Sequence, residues 1–271
     1  MGFILKLFGS NPLGISLYRI LSYPHSYRIA LVRLFLMLRP KIRPHYRVCL
    51  FEAAKMAHAL GYDRISVIEF GVAGGNGLLA LEKYAPKIER RFGVTIDIYG
   101  FDMGDGVGLP ETQDPRDMPY FWAPGFYKMN HAHLASRLRR SKLILGNMSE
   151  TVPAFILDTN TAAIGAVFVD VDYCSSSVVA LQIFKRPLQN WLPRVLCYFD
   201  DVEVCNEFQG ERAAIVEFNA TCNNRKIART QGHHEDVLFG TFSSKIYTLH
   251  DFSHAQYNVF IGGAAAAKLE L

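Results

Sequence analysis

Two short segments place carboxylates directly behind apolar runs. VFVDVDYCSSS carries Asp170 and Asp172, and CYFDDV carries Asp200 and Asp201. Short apolar, β-branched runs of this kind read as buried strands, so the four acids stand at strand ends. Burying carboxylates near one another without a partner is costly and raises their pKa values. A divalent cation relieves that cost, and Mg²⁺ takes hard oxygen ligands: a few carboxylates, waters and substrate oxygens. No Lys or Arg is adjacent in either segment to serve instead. The plainer alternative is that Asp200 and Asp201 cap a turn while Asp170 and Asp172 meet backbone amides.

A second segment, VIEFGVAGGNG, runs from Val67 to Gly77 and puts four glycines in seven residues after an apolar run. Glycine is placed where the backbone turns sharply or lies close to something. A Walker loop needs a Lys after its glycines, and none follows here. The dinucleotide pattern G-x-G-x-x-G/A does fit Gly75-Asn76-Gly77-Leu78-Leu79-Ala80, but it starts late, since the strand ends near Gly71. A third reading takes the whole stretch: an acid, Glu69, at the strand end, then Gly71, Gly74, Gly75 and Gly77. Asp102, ending IYGFD, and Gly146-Asn147-Met148 follow two further apolar runs. Vicinal hydroxyls suit a bidentate carboxylate such as Asp102.

The elements that must position these groups alternate. The pattern predicts helices over 46–60, 77–92, 131–140, 149–157 (Ser149 as N-cap), 175–191 and 207–219. Strands are expected at 65–70, 95–101, 142–145, 164–169 and 195–199, with late strands at 237–242, 247–252 and 257–261. Strands alternating with helices imply a parallel sheet covered on both faces. The expected fold is therefore α/β: a Rossmann-like, doubly wound, mostly parallel seven-stranded sheet with helices on both faces and an N-terminal helical extension. The divisions expected are 1–48 (basic extension), 49–263 (α/β domain) and 264–271 (flexible tail). In open sheets of this kind ligands bind at the carboxyl ends of the strands. The long loop 103–125 and its aromatics Tyr120, Phe121, Trp122, Phe126 and Tyr127 either cover an acceptor or pack on their own domain.

Charge is unevenly distributed. Eight Lys or Arg and no acid precede Glu52, so of the formal net +4 the remaining body carries −4. The acidic body argues against nucleic acid as a partner, because phosphate contacts need a basic surface. The run 29–38 is too short to span a bilayer and contains Arg33. An amphipathic helix over 27–38 would pack on the body or on a second subunit, or lie on an acidic membrane surface. The five cysteines are odd in number with no C-x-x-C pair, which suggests reduced, mostly buried thiols and a cytoplasmic protein. His131, His133, the pair His233-His234, His250 and His254 are weaker candidates for ligands.

Taken together, the motifs resemble the class I S-adenosylmethionine-dependent methyltransferases. They are most similar to the metal-dependent O-methyltransferases that act on sugar hydroxyls of antibiotics, the macrocin and novobiocin type. The resemblance rests on Glu69-Phe70-Gly71-Val72-Ala73-Gly74-Gly75, Gly100-Phe101-Asp102 with Gly108-Leu109-Pro110-Glu111, Asp170-Val171-Asp172-Tyr173 with Ser175 and Ser176, and Asp200-Asp201. It covers roughly residues 65 to 220; the loop after Asp102 is longer than usual, and the C-terminal third matches weakly. The resemblance implies S-adenosylmethionine held by Glu69, Gly71, Gly74, Gly75, Gly77, Asp102 and Asn147. It implies Mg²⁺ or another divalent cation on Asp170, Asp200 and Asp201, with Asp170 also accepting the proton of a small-molecule hydroxyl. Asp172 either replaces Asp170 as ligand or orients one. Two other readings stay open: an NAD(P)-dependent oxidoreductase, which leaves the four carboxylates unexplained, and a non-catalytic binding module of the same fold. A homodimer through the helical head is a further expectation.

Overall fold

The computed structural model describes residues 43–108, 114–122, 125–158, 160–185, 190–230 and 244–262. Its helices are α1 (Pro44–Ala59), α2 (Asn76–Phe92), α3 (His131–Arg137), α4 (Met148–Leu157), α5 (Cys174–Leu181) and α6 (Gly210–Thr221). Its strands are β1 (Arg64–Phe70), β2 (Thr95–Asp102), β3 (Lys142–Leu145), β4 (Ala163–Val169), β5 (Trp191–Phe199), β6 (Arg225–Arg229) and β7 (Ile246–Asp251). The sheet runs β3-β2-β1-β4-β5-β7-β6. The first five strands are parallel, and β7 is antiparallel to both β5 and β6.

Local chemistry sets the element ends. Pro44 stands in the first turn of α1, where its missing N–H costs no hydrogen bond. The buried positions Tyr46, Cys49, Leu50, Ala53, Ala54 and Ala57 recur at three- and four-residue spacing, forming one stripe. Helix α2 ends at Gly93, whose φ of 67° is left-handed and whose N–H reaches the Glu89 carbonyl.

The two faces of the sheet bury separate cores. Ile68 and Phe70 of β1 join Val167 and Val169 of β4 on one face. Ile65 and Val67 join Ala166 and Phe168 on the other, under α1 and α2. That split follows from the alternation of side chains along a strand. Cys49, Cys174, Cys197 and Cys205 are buried, Cys222 is half-buried, and all five are free thiols.

From β1 the chain steps outward through β2 to β3, then returns to the other side of β1 for β4. The carboxyl ends of β1 and β4 therefore flank the point where the winding reverses, the crevice where doubly wound sheets take ligands. Among the described residues no helix is long and apolar enough to cross a membrane.

Two expectations are corrected, and one strand was not expected. The helix expected over 175–191 stops at Leu181, continues as a 3₁₀ turn from Gln182 to Lys185, and gives way to β5 at Trp191. Pro187, within that span, disfavours a helical residue before it. The Trp191 indole N–H donates to Asp251 Oδ2 at the end of β7, 2.8 Å away. The apolar run 257–261 forms turns closed by Tyr257 N–H to His254 and Val259 N–H to Gln256, not a strand. The basic run 225–229, not read as a strand, is edge strand β6, with Ile227 buried and exposed charge along it. The run 237–242, His233-His234 and the stretches 1–42 and 263–271 lie outside the described residues. Helix α1 runs across the expected division at 48/49.

Candidate active site

The glycine loop follows β1. Gly71 donates its N–H to the Phe101 carbonyl on the neighbouring strand (2.9 Å). Its φ is +82°, and a Cβ there would sit 1.9 Å from the carbonyl oxygen of Asp170. The loop and the end of β4 are thus in backbone contact, which only glycine permits. Gly75 is also left-handed, and its missing Cβ makes room for Leu134. Gly77 opens α2 directly beneath the Glu69 carboxylate, where a Cβ would come 1.7 Å from Oε1. Ala73 holds a positive φ of 46° without being glycine, the kind of strain that clusters at functional turns.

Asp102 ends β2. Its Oδ2 accepts the N–H groups of Val72 and Ala73, both at 2.8 Å, and its Oδ1 accepts that of Gly104 at 2.6 Å. The carboxylate fastens the glycine loop to the end of β2. Three of its roughly four acceptor positions are taken. Beyond β3, Gly146 is bound through its N–H to the Asp102 carbonyl. Asn147, not Ser149, caps α4: its side chain accepts the Ser149 N–H at 2.9 Å.

Opposite stand the four aspartates. Arg43 Nη1 lies 3.2 Å from Asp170 Oδ2. Tyr198 Oη donates to Asp200 Oδ1 at 2.6 Å, and Lys245 Nζ lies 3.6 Å from the same oxygen. Asp172 and Asp201 receive no side-chain donor among the described residues. Burial, then the charge of Asp200, pushes Asp170 up. Burial and Asp170 push Asp172 up to about 6. Burial, followed by Asp200, Asp170 and Asp172, pushes Asp201 up to about 7. Burial would raise Asp200 as well, but Lys245, the Tyr198 hydroxyl and Arg43 hold it below the usual carboxylate range. Behind them Glu211 is fully buried and accepts the Asp201 N–H at 2.7 Å. Burial and Asp201 push its carboxyl far up.

These walls enclose a cavity of about 580 Å³ at the carboxyl ends of the parallel strands. Gly71, Gly74, Asp102 and Asn147 line one side, and Asp170, Asp172, Asp200 and Asp201 the other. Trp122 and Tyr127 from the long loop also line it, and the buried Trp122 indole N–H finds no acceptor among the described residues. Phe121 and Phe126 are exposed. Of the expected residues, Glu69, Gly75 and Gly77 do not line the cavity. Glu69 is buried, and its Oε1 accepts the Tyr46 hydroxyl at 2.6 Å. Burial pushes its carboxyl up to about 8 against the opposing charge of Arg43. Of the weaker histidine candidates, His131 and His133 open α3, and His250 Nδ1 lies 2.7 Å from the Tyr257 hydroxyl. None of these, nor His254, lines the cavity.

Sequence reasoning missed Arg43, Tyr46 and Lys245. Pro44 does mark a helix start, which puts Arg43 at the helix entrance. Nothing in the sequence joins it to Asp170, 127 positions away.

No protein-family model and no curated protein matches the chain. Solved structures do align with it. The calicheamicin methyltransferase CalS11 is 20% identical, with 79% of this chain and 88% of that one covered and a TM-score of 0.47. The O-methyltransferase NovP is 14% identical over 65% and 70%, with a TM-score of 0.48. The O-methyltransferase TomG from Streptomyces achromogenes, in complex with SAM, is 15% identical over 76% and 78%, with a TM-score of 0.41.

Proposed function

We propose that the chain is an S-adenosylmethionine-dependent O-methyltransferase acting on a hydroxyl of a small molecule, a sugar or secondary metabolite. One observation carries the reading. A single cavity at the winding reversal has a glycine-loop wall ending at Asp102 and Asn147, and faces a wall of four aspartates. Its volume is that of a small-molecule site. An oxidoreductase would need the first wall and leaves the second without a purpose.

Bound S-adenosylmethionine would supply an electrophilic methyl group. The glycine loop, which lines the cavity at Gly71 and Gly74 without side chains, suits the donor's close approach. Asp102 would trade part of its hold on the loop amides for the ribose hydroxyls, and Asn147 would flank the adenine. Glu69, Gly75 and Gly77 act beneath the loop, shaping it from the buried side. On the opposite wall Asp170 stands to accept the acceptor's hydroxyl proton; burial raises its basicity into the range useful near neutral pH. Holding hydroxyl and methyl in line is then the main service of the cavity.

The donor set on this wall is the one a hard cation selects, and Asp170, Asp200 and Asp201 would hold Mg²⁺. As they stand, no three His, Cys, Asp or Glu groups among the described residues are close enough to hold a metal ion. Arg43 and Lys245 would first have to release Asp170 and Asp200. Bound there, a cation would lower the acceptor hydroxyl's pKa.

Calorimetric titration with S-adenosylhomocysteine, with and without Mg²⁺, and with NADH as control, tests the reading. Micromolar binding of S-adenosylhomocysteine that weakens at least about tenfold in Asp102→Ala is expected, a loss of roughly 1.4 kcal/mol. NADH binding in its place would overturn the assignment, and binding of neither would favour a non-catalytic module. Asp200→Ala and Asp201→Ala are each expected to abolish Mg²⁺-dependent turnover; unchanged metal affinity in both would remove the cation from the scheme.

A further inference from the structure

Away from the aspartate wall, α1 and α2 flank a second, half-open surface cavity of about 400 Å³. Arg47 and Phe51 line it from α1, and Lys83, Tyr84, Lys87 and Arg91 from α2, with no carboxylate in the lining. Lys83, Lys87 and Arg91 succeed one another at four-residue spacing, so they share one helix face. Like charges at that spacing disfavour a helix, and nothing local offsets them. Among the described residues none of the four cations forms a salt bridge.

The acids of α2 are engaged elsewhere. Glu82 accepts the backbone N–H groups of Arg139, Arg140 and Ser141. Glu89 pairs with Arg140 and accepts the Ile96 N–H. The helix thus gives its negative charge to the β3 side and leaves positive charge around the cavity. The Arg91 guanidinium stacks 5.4 Å from the Phe51 ring centroid, which orients it there. Residues 1–42 contain six Lys or Arg and no acid, so the chain's own leading segment is not a complementary occupant.

We propose that this cavity binds a polyphosphorylated ligand, one carrying two or more phosphate groups. Four cations that form no salt bridge among the described residues suit several charged oxygens at once, and the Tyr84 ring offers an apolar wall to the remainder. Such a ligand could be a soluble phosphorylated compound or a phosphoinositide headgroup. The assignment does not depend on the methyltransferase reading.

Titrating the full chain with pyrophosphate by calorimetry tests the site, together with flotation on phosphatidylcholine vesicles with and without phosphatidylinositol bisphosphate. Binding should weaken about tenfold or more in the double variant Lys87→Glu, Arg91→Glu. The control Arg90→Glu, on the same helix but outside the lining, should change it less than about twofold. Both variants alter exposed side chains, and matched melting temperatures would certify the fold. Pyrophosphate binding without vesicle association assigns a soluble ligand; vesicle association competed by pyrophosphate assigns the headgroup. No binding of either probe overturns the proposal, as does equal loss in the double variant and the control.

Discussion

At Gly71 the backbone of the glycine loop lies against the carbonyl of Asp170, with φ at +82° and no room for a methyl group. Gly71→Ala should therefore cost about 1–3 kcal/mol through strain alone. It should also displace the loop from the end of β4, lowering S-adenosylhomocysteine affinity along with the denaturation midpoint. Glycine placement was legible because each glycine answers a local backbone demand. Its purpose was not: Gly77 faces the buried Glu69 carboxylate, a partner eight positions back, and sits outside the cavity. Glu69 itself gives a prediction with a definite sign. Its folded value of about 8 exceeds the ordinary 4.5. Between those values the folded state holds a proton that the unfolded chain releases. Stability should fall as pH rises through that window, by up to about 1.4 kcal/mol per unit, and level off above it. Glu69→Gln keeps an acceptor for Tyr46 and removes the titration. Denaturation midpoints measured at pH 5.5, 7 and 8.5 should decline less steeply in this variant than in the parent.

Among the elements, α5 shows how the long loop is tied to the site. Its N-cap residue, Tyr173, makes no side-chain cap. Asp117, arriving from the loop, accepts the Ser175 N–H at 2.7 Å and the Ser175 hydroxyl at 2.9 Å. Tyr173 in turn donates its hydroxyl to the Gly108 carbonyl, and Arg116 pairs with Glu217 of α6. Asp117→Ala removes a cap and a tether together. A loss of about 1–2 kcal/mol is expected from chemical denaturation, with the KM of the acceptor rising more than that of the methyl donor. The β1–β4 alternation and the strand-end acids were readable because apolar periodicity marks buried strands. The α5-to-β5 passage was not, since apolar residues continue from α5 into the 3₁₀ turn at Ile183 and Phe184 and recur at Trp191, which opens β5. Edge strand β6 escaped notice because its charged residues hide the alternation, and only pairing with β7 reveals it.

For the molecule as a whole, the winding reversal between β1 and β4 explains why residues distant in sequence meet. It gathers the loop after β1, Asp102 after β2 and the acids after β4 and β5 at one edge of the sheet. The motifs announced these groups one by one. What sequence could not supply was the docking of α1, whose entrance brings Arg43 and Tyr46 onto that edge through contacts that leave no local pattern. The buried thiols carry a different consequence. Burial holds Cys174 and Cys197 in the protonated form, with pKa values pushed up to about 12, and raises Cys49 further. Alkylation requires the thiolate and access to it. In the native protein a maleimide should therefore label Cys222 first and alone, and the other four sulfurs should react only as fast as the cores open. Successive mass increments after a pulse of reagent would time the unfolding of each face of the sheet: Cys174 and Cys197 for one, Cys49 for the other. Simultaneous labelling of all five in native buffer would contradict that order.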